Sequence, residues 1–266
     1  MSKIKYGSQT YPWQMNIKKF HGQVPHMADT LIKAGFTGME AEICMLEDYY
    51  TDWQKLKDLL DEKQITFAAL AVHEDWLLPE ETDGERERLD EAIEFLTHFP
   101  TAKLMLGHVA ADPVREHNLY EKQVNQLKCI SSIAQRAAEA GVVTVFHPNS
   151  GENSIFRYES DYHIMFDTLY SKGIGYAPDA GHMLNGGIDP LKVIREHRDI
   201  VQHVHFKDMT PDHVGEGIGD FKSIVDFLAD TGYQGWIMTE DESPDAEQDS
   251  DGVVLADGAY MKSIAR

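Results

Sequence analysis

Short apolar runs alternate with longer stretches whose apolar positions recur at helical spacing, and the alternation continues from one end of the chain to the other. The runs IKYGSQ (4–9), GMEAEI (38–43), TFAALAV (66–72), AKLMLGH (102–108), VVTVFH (142–147), GIGYAPD (173–179), VQHVHFK (201–207) and GWIMTE (235–240) read as strands. Between them, Leu127, Ile130, Ala134 and Ala137 form one stripe, and Phe221, Ile224, Val225 and Leu228 another, at the spacing of a helix with one buried face. Helix ends are punctuated as well. Asp220 is a natural N-cap, Gly232 a C-terminal stop, and Asp189-Pro190 a cap followed by a proline at the first helical position. Strands that alternate with crossover-length helices predict parallel βα units.

There are eight such units in 266 residues, and closed α/β barrels of roughly 250 residues fold as one domain. A faint internal repeat points the same way: AGFTGMEAE (34–42) and TGYQGWIMTE (231–240) each run from a helix-ending glycine through an aromatic and a second glycine into a strand that ends in a carboxylate. An open doubly wound sheet is the alternative. It is disfavoured because GSQTYPW, and not a glycine-rich phosphate loop, follows the first strand. The expected fold is α/β, a single (β/α)8 TIM barrel filling residues 1–266 as one domain, with its active site at the C-terminal ends of the strands. The acidic stretch 239–252 is expected to be a loop after the last strand.

Composition narrows the partners. With 45 acidic against 24 basic residues the formal net charge is -21, a field that repels polyanions, so nucleic acid is not an expected partner. Cys44 and Cys129 form no CxxC pair and are expected to be buried thiols of a reducing cytoplasm. No run approaches the roughly 20 apolar residues of a membrane span, and the first residues lack a signal-peptide core. The expectation is a cytoplasmic protein with no membrane partner; association as a homo-oligomer or with a partner subunit is left open.

Functional residues of a (β/α)8 barrel gather at the C-terminal strand ends. Here those ends read Gln9, Glu42, His73, His108, His147, Asp179, His205 and Glu240. His147, Asp179, His205 and Glu240 come from the last four strands and could converge on one divalent ion. Any one of them alone reads more simply as a hydrogen-bonded loop or core residue. Carboxylate oxygens suit hard cations, and added imidazole shifts preference toward Mn, Co, Fe, Ni or Zn over Mg or Ca.

The segments YAPDAGHM (176–183), QHVHFKD (202–208) and VGEGIGDF (214–221), in that order and separation, resemble the xylose isomerase-like TIM barrel superfamily of sugar isomerases, epimerases and inosose dehydratases. The resemblance spans essentially the whole chain. It implies one divalent ion, Mn in the first place, with Co, Fe, Ni, Zn or Mg as alternatives, held by Asp179, His205, Glu240 and a fifth-strand residue. That fifth residue is a glutamate in the ketose 3-epimerases and His147 here, a departure that points toward the inosose dehydratase-like branch. His182 resembles the family's contact to a substrate hydroxyl. The arginine that epimerases carry shortly after the seventh-strand histidine is replaced here by MTPDH.

What the resemblance implies for chemistry is removal of a proton α to a carbonyl through an enediolate, on a keto sugar, inosose or related carbohydrate. The outcome is isomerisation, epimerisation or β-elimination. Glu240 is the expected base and His147 either a metal ligand or a second proton-transfer group, with an imidazolium suited to protonating a leaving oxygen. Lys207 is expected to neutralise a developing oxyanion or to pair with Asp208. His108, Glu152 and Trp13 are further substrate-binding candidates, and Tyr11 and Trp76 join Trp13 as aromatic wall or hydrophobic cap. Two rivals stand beside this reading: an endonuclease IV-like multinuclear zinc phosphodiesterase, and a barrel that binds sugar or a partner without turnover.

Overall fold

The computed structural model of the chain describes residues 4–108, 114–209 and 212–266, so part of the MTPDH segment lies outside the described residues. Eight parallel strands form the sheet: β1 Lys5–Gln9, β2 Gly38–Glu42, β3 Thr66–Glu74, β4 Lys103–His108, β5 Val143–Phe146, β6 Gly175–Tyr176, β7 His203–Phe206 and β8 Trp236–Thr239. They lie in the order β6-β5-β4-β3-β2-β1-β8-β7. The ring is closed between β6 and β7 by two parallel bridges, Tyr176 to Val201 and Asp179 to His205. The fold is therefore a single (β/α)8 TIM barrel, and each predicted run coincides with one strand, β3 extending two residues past its run.

β6 is the shortest strand for a local reason. Pro178 has no N–H to give a ladder, so pairing survives only through its carbonyl, which accepts from the His205 N–H at 2.9 Å. Elsewhere the strand faces are strongly apolar, as strands covered on both sides must be. Ala69, Ala71, Met105, Val145 and Ala177 pack together as one buried cluster.

The helices follow the sequence pattern. In Phe221–Asp230 the stripe Phe221, Ile224, Val225 and Leu228 is buried, and the Asp220 carboxylate accepts the Ser223 N–H at 3.1 Å. Asp189 caps Pro190–Glu196 through the Lys192 N–H at 3.2 Å. Gly232 takes φ +72, the left-handed conformation a helix stop asks for. The acidic stretch is a loop only in part. A 3-10 turn, Pro244–Glu247, interrupts it, and Ser250–Ile264 is helical because Asp249 caps the Gly252 N–H at 3.0 Å.

Cys129 is buried but Cys44 is exposed. The expected burial of Cys44 is corrected: it sits on the short helix Ile43–Leu46, which turns Met45 and Leu46 into the core and leaves the thiol outside. No helix among the described residues is long and apolar enough to cross a membrane.

Candidate active site

Two ladder extensions and one bridge fix the residues at the barrel mouth. The His147 N–H continues the β5 ladder to the Leu106 carbonyl at 2.9 Å, and the Glu240 N–H continues β8 to the Phe206 carbonyl at 3.0 Å. Pro148 then ends the fifth strand. Asp179 is bridged to His205, and its Oδ1 accepts the His182 N–H at 2.8 Å, which fixes the carboxylate with Oδ2 free. One donor atom from each of His147, Asp179, His205 and Glu240 lies within 4.8 Å of the others, and all four residues are buried.

This quartet fits a divalent cation. His147 Nε2 faces Asp179 Oδ2 at 3.5 Å, yet neither atom, nor His147 Nδ1, has a hydrogen-bond partner. Buried polar atoms left without partners are rare and call for an explanation, an ion or a water among them. Two imidazoles with two carboxylates are a donor set for a transition ion such as Zn or Mn.

Charge is balanced tightly around it. Burial pushes the Asp179 and Glu240 carboxyls up, but Lys207 and the neighbouring imidazoles outweigh it, holding Asp179 well below the usual range and Glu240 at about 2. His205 is pushed the other way. Burial disfavours its charged form, but Glu40 and Glu240 raise it to about 10, with Nδ1 at 2.6 Å from Glu240 Oε2. His147 is lowered by burial and is a neutral imidazole at pH 7. Its one ring lone pair is open to an ion, and as a neutral imidazole it is a poor proton donor to a leaving group.

Above the quartet opens a cavity of about 520 Å³, with His147, His182, Glu240 and Glu242 on one side and Glu42, His73 and His108 on the other. Tyr11, Asn149 and Ser150 complete much of the rim. Asn149 is anchored by its side-chain amide, which donates to the His108 carbonyl. Glu42 accepts from the Gln14 amide at 3.1 Å and stands 3.7 Å from His73 Nδ1. Burial lowers His108 to about 4, so it too is neutral.

The other sequence candidates divide. Lys207 is 1% exposed and lies behind His182: its ammonium donates to His182 Nε2 at 3.0 Å and to Glu242 Oε1 at 2.8 Å, 3.7 Å from Asp179 Oδ2. The expected alternative pairing with Asp208 does not occur. Asp208 instead accepts the N–H groups of Met209, Gly215, Gly217 and Gly219 at 3.0 to 3.2 Å, and a Cβ on Gly217 would overlap that carboxylate. The glycines of VGEGIGDF thus let the backbone wrap Asp208. Trp13 is fully buried and its indole N–H donates to Asp251 Oδ1 at 2.7 Å, and Trp76 is also fully buried. Neither lines the cavity, which corrects their placement as wall residues. Glu152 is exposed on the loop after β5, beside Gly151, which does line it.

Sequence reasoning missed Glu242, Ser150 and Glu40. Glu242 carried one signal, its position two residues beyond Glu240. Ser150 carried none beyond lying in a polar loop, and it holds His182 by a 2.9 Å contact to Nδ1. Because Lys207 can only donate, His182 Nε2 accepts and its Nδ1–H points at Ser150.

Fold and site together define a (β/α)8 barrel with a buried imidazole and carboxylate centre at the C-terminal mouth. The chain belongs to the xylose isomerase-like TIM barrel family, whose model matches residues 28–263. It is 29% identical over 140 residues to an inosose dehydratase of Lacticaseibacillus casei, covering 44% of this chain and 46% of that protein, so the match spans less than half the length of the relative. Among solved structures it is similar to the 3-keto-D-glucoside 4-epimerase YcjR of E. coli, with a TM-score of 0.74, 17% identity and 98% and 100% of the two chains covered. It is also similar to the IOLI protein solved with a zinc atom, with a TM-score of 0.78, 12% identity and 98% of each chain covered. At such identities the structural likeness establishes the fold.

Proposed function

We propose that the chain acts as one barrel domain, a divalent-metal-dependent enzyme that removes the proton α to the carbonyl of an inosose or related keto sugar and then eliminates water. The observation that carries this reading is the buried quartet with unpartnered His147 and Asp179 atoms at the floor of a polar cavity. His147, Asp179, His205 and Glu240 would hold a divalent ion such as Mn or Zn, which when bound would supply Lewis acidity toward the substrate's oxygens.

The chain's own groups do the rest. Glu240, ionised at pH 7 and lining the cavity, takes the α-proton. His147, neutral and unpartnered, serves as a ligand in preference to a proton donor, which revises the idea of an imidazolium delivering the proton. The proton for the departing oxygen has another route, the Ser150 hydroxyl on the cavity rim, 2.9 Å from His182 Nδ1, with the Lys207 ammonium holding His182 in place at Nε2 at 3.0 Å. Asn149 and Asn185, also on the rim, are suited to substrate hydroxyls. The relatives named above, a dehydratase and an epimerase, support sugar chemistry of this class. The acidic mouth, with Glu42, Glu240 and Glu242, weighs against a phosphodiester substrate.

Elemental analysis of the purified protein beside Asp179→Ala is the direct test. About one transition ion per chain, lost in the variant, supports the reading; close to three zinc ions would favour the phosphodiesterase. Incubation with inososes and 3-keto sugars in D2O then separates outcomes. Loss of water with proton exchange supports the dehydratase, exchange without loss the epimerase, and binding without either a non-catalytic barrel. Glu240→Gln should retain the fold and lose exchange; unchanged exchange rejects Glu240 as the base.

A further inference from the structure

Glu40 lies on β2 two residues before Glu42, one layer deeper in the barrel, and is fully buried. In the sheet, β2 and β7 are separated by β1 and β8, so a contact between them crosses the barrel interior and belongs to no ladder. Such a contact exists. Glu40 Oε2 stands 2.6 Å from His203 Nε2 and 3.1 Å from His205 Nε2, the two histidines being alternate residues on the inward face of β7.

His205 is thus gripped at both ends, with Nε2 on Glu40 and Nδ1 toward the quartet, 2.6 Å from Glu240 Oε2. An imidazole offers an ion one lone pair, and the nitrogen that offers it is decided by where the other nitrogen's proton is held. An ionised carboxylate can only accept, so Glu40 keeps hydrogen on Nε2, and the hydrogen that Nδ1 holds against Glu240 is the one an ion would displace, because Nδ1 faces the centre. Resting on the metal-centre reading above, we infer that Glu40 is a positioning residue which, from across the barrel, sets the orientation and tautomer of His205 for ion binding through Nδ1. His203, on the same carboxylate oxygen, keeps that oxygen from swinging away.

The test uses the full chain, stripped with a chelator and reloaded with Zn2+ or Co2+. In the parent protein, histidine 15N–1H spectra with Zn2+ should show His205 bound through Nδ1 and protonated on Nε2. Coordination through Nε2, or an Nε2 without hydrogen, would overturn the inference without any variant having to fold. In Glu40→Gln, shown folded by its circular dichroism, Co2+ affinity measured by competition with a chromophoric chelator should fall by about 10- to 100-fold. Affinity within about threefold of the parent overturns the positioning role. Failure of the parent to bind either ion would sink the metal-centre reading and this one with it; equal affinities would sink only this one.

Discussion

Lys207→Met tests how the centre is balanced. The substitution keeps the length of the side chain and removes its charge and donors. In the parent, the ammonium is 1% exposed and stands 2.8 Å from Glu242, 3.0 Å from His182 and 3.7 Å from Asp179. Deleting one partner of a buried charge pair strands the other in low dielectric, at a cost of about 3–5 kcal/mol. At the 2–4 °C per kcal/mol usual for chains of this size, the metal-free variant should melt roughly 6–20 °C below the parent.

A divalent ion at the quartet supplies positive charge beside the same carboxylates. Saturating Zn2+ or Mn2+ should therefore raise the melting temperature of Lys207→Met by more than it raises that of the parent, whose gain at a hundredfold excess over Kd is about 2.7 kcal/mol. The assay is thermal unfolding by circular dichroism on chelator-treated protein, with and without the ion. A metal-free variant melting within about 2 °C of the parent would refute the claim that Lys207 balances buried carboxylates. Equal gains from the ion in both proteins would refute the coupling of that lysine to the centre.

Other outcomes follow from the same geometry. Asp208→Ala removes the acceptor shared by four backbone N–H groups; stability should fall by about 1–3 kcal/mol and amide exchange at Gly215, Gly217 and Gly219 should quicken, with unaltered exchange speaking against the wrap. Burial, and then the like charge of Asp241, push the Asp257 carboxyl well above its ordinary value. The folded state then keeps a proton that the unfolded state releases, so this contribution to stability is full below the unfolded value of about 3.9 and declines as pH rises from there through the folded value. Asp257→Asn should accordingly raise the melting temperature at pH 8 and leave it nearly unchanged at pH 4; an equal shift at both would contradict the assignment. His147→Ala should weaken retention of the ion, and full occupancy in that variant would assign His147 to proton transfer.

Much was legible in one dimension because the barrel repeats a local unit. Apolar runs, caps such as Asp220 and stops such as Gly232 are decided within a few residues of themselves, and eight repetitions imply the architecture. The quartet was legible for the same reason: in a parallel barrel every strand end faces the same mouth, so His147, Asp179, His205 and Glu240 could be named by position alone. Trp13 could not be placed that way. The turn after β1 directs its indole to Asp251 on the last helix, 238 residues away, and local pattern says nothing of that partner.

Closure between β6 and β7, the cradle around Asp208, the Lys207 to His182 to Ser150 chain and the reach of Glu40 across the barrel were likewise decided only by the tertiary structure. Sequence periodicity reports which face a residue occupies; the partner on that face is set by how distant strands twist and close. The chain by itself determined the scaffold and its ring of polar strand ends. The fold determined which of those ends are left unpartnered, which are paired off, and which carboxylate beneath them holds a histidine in place.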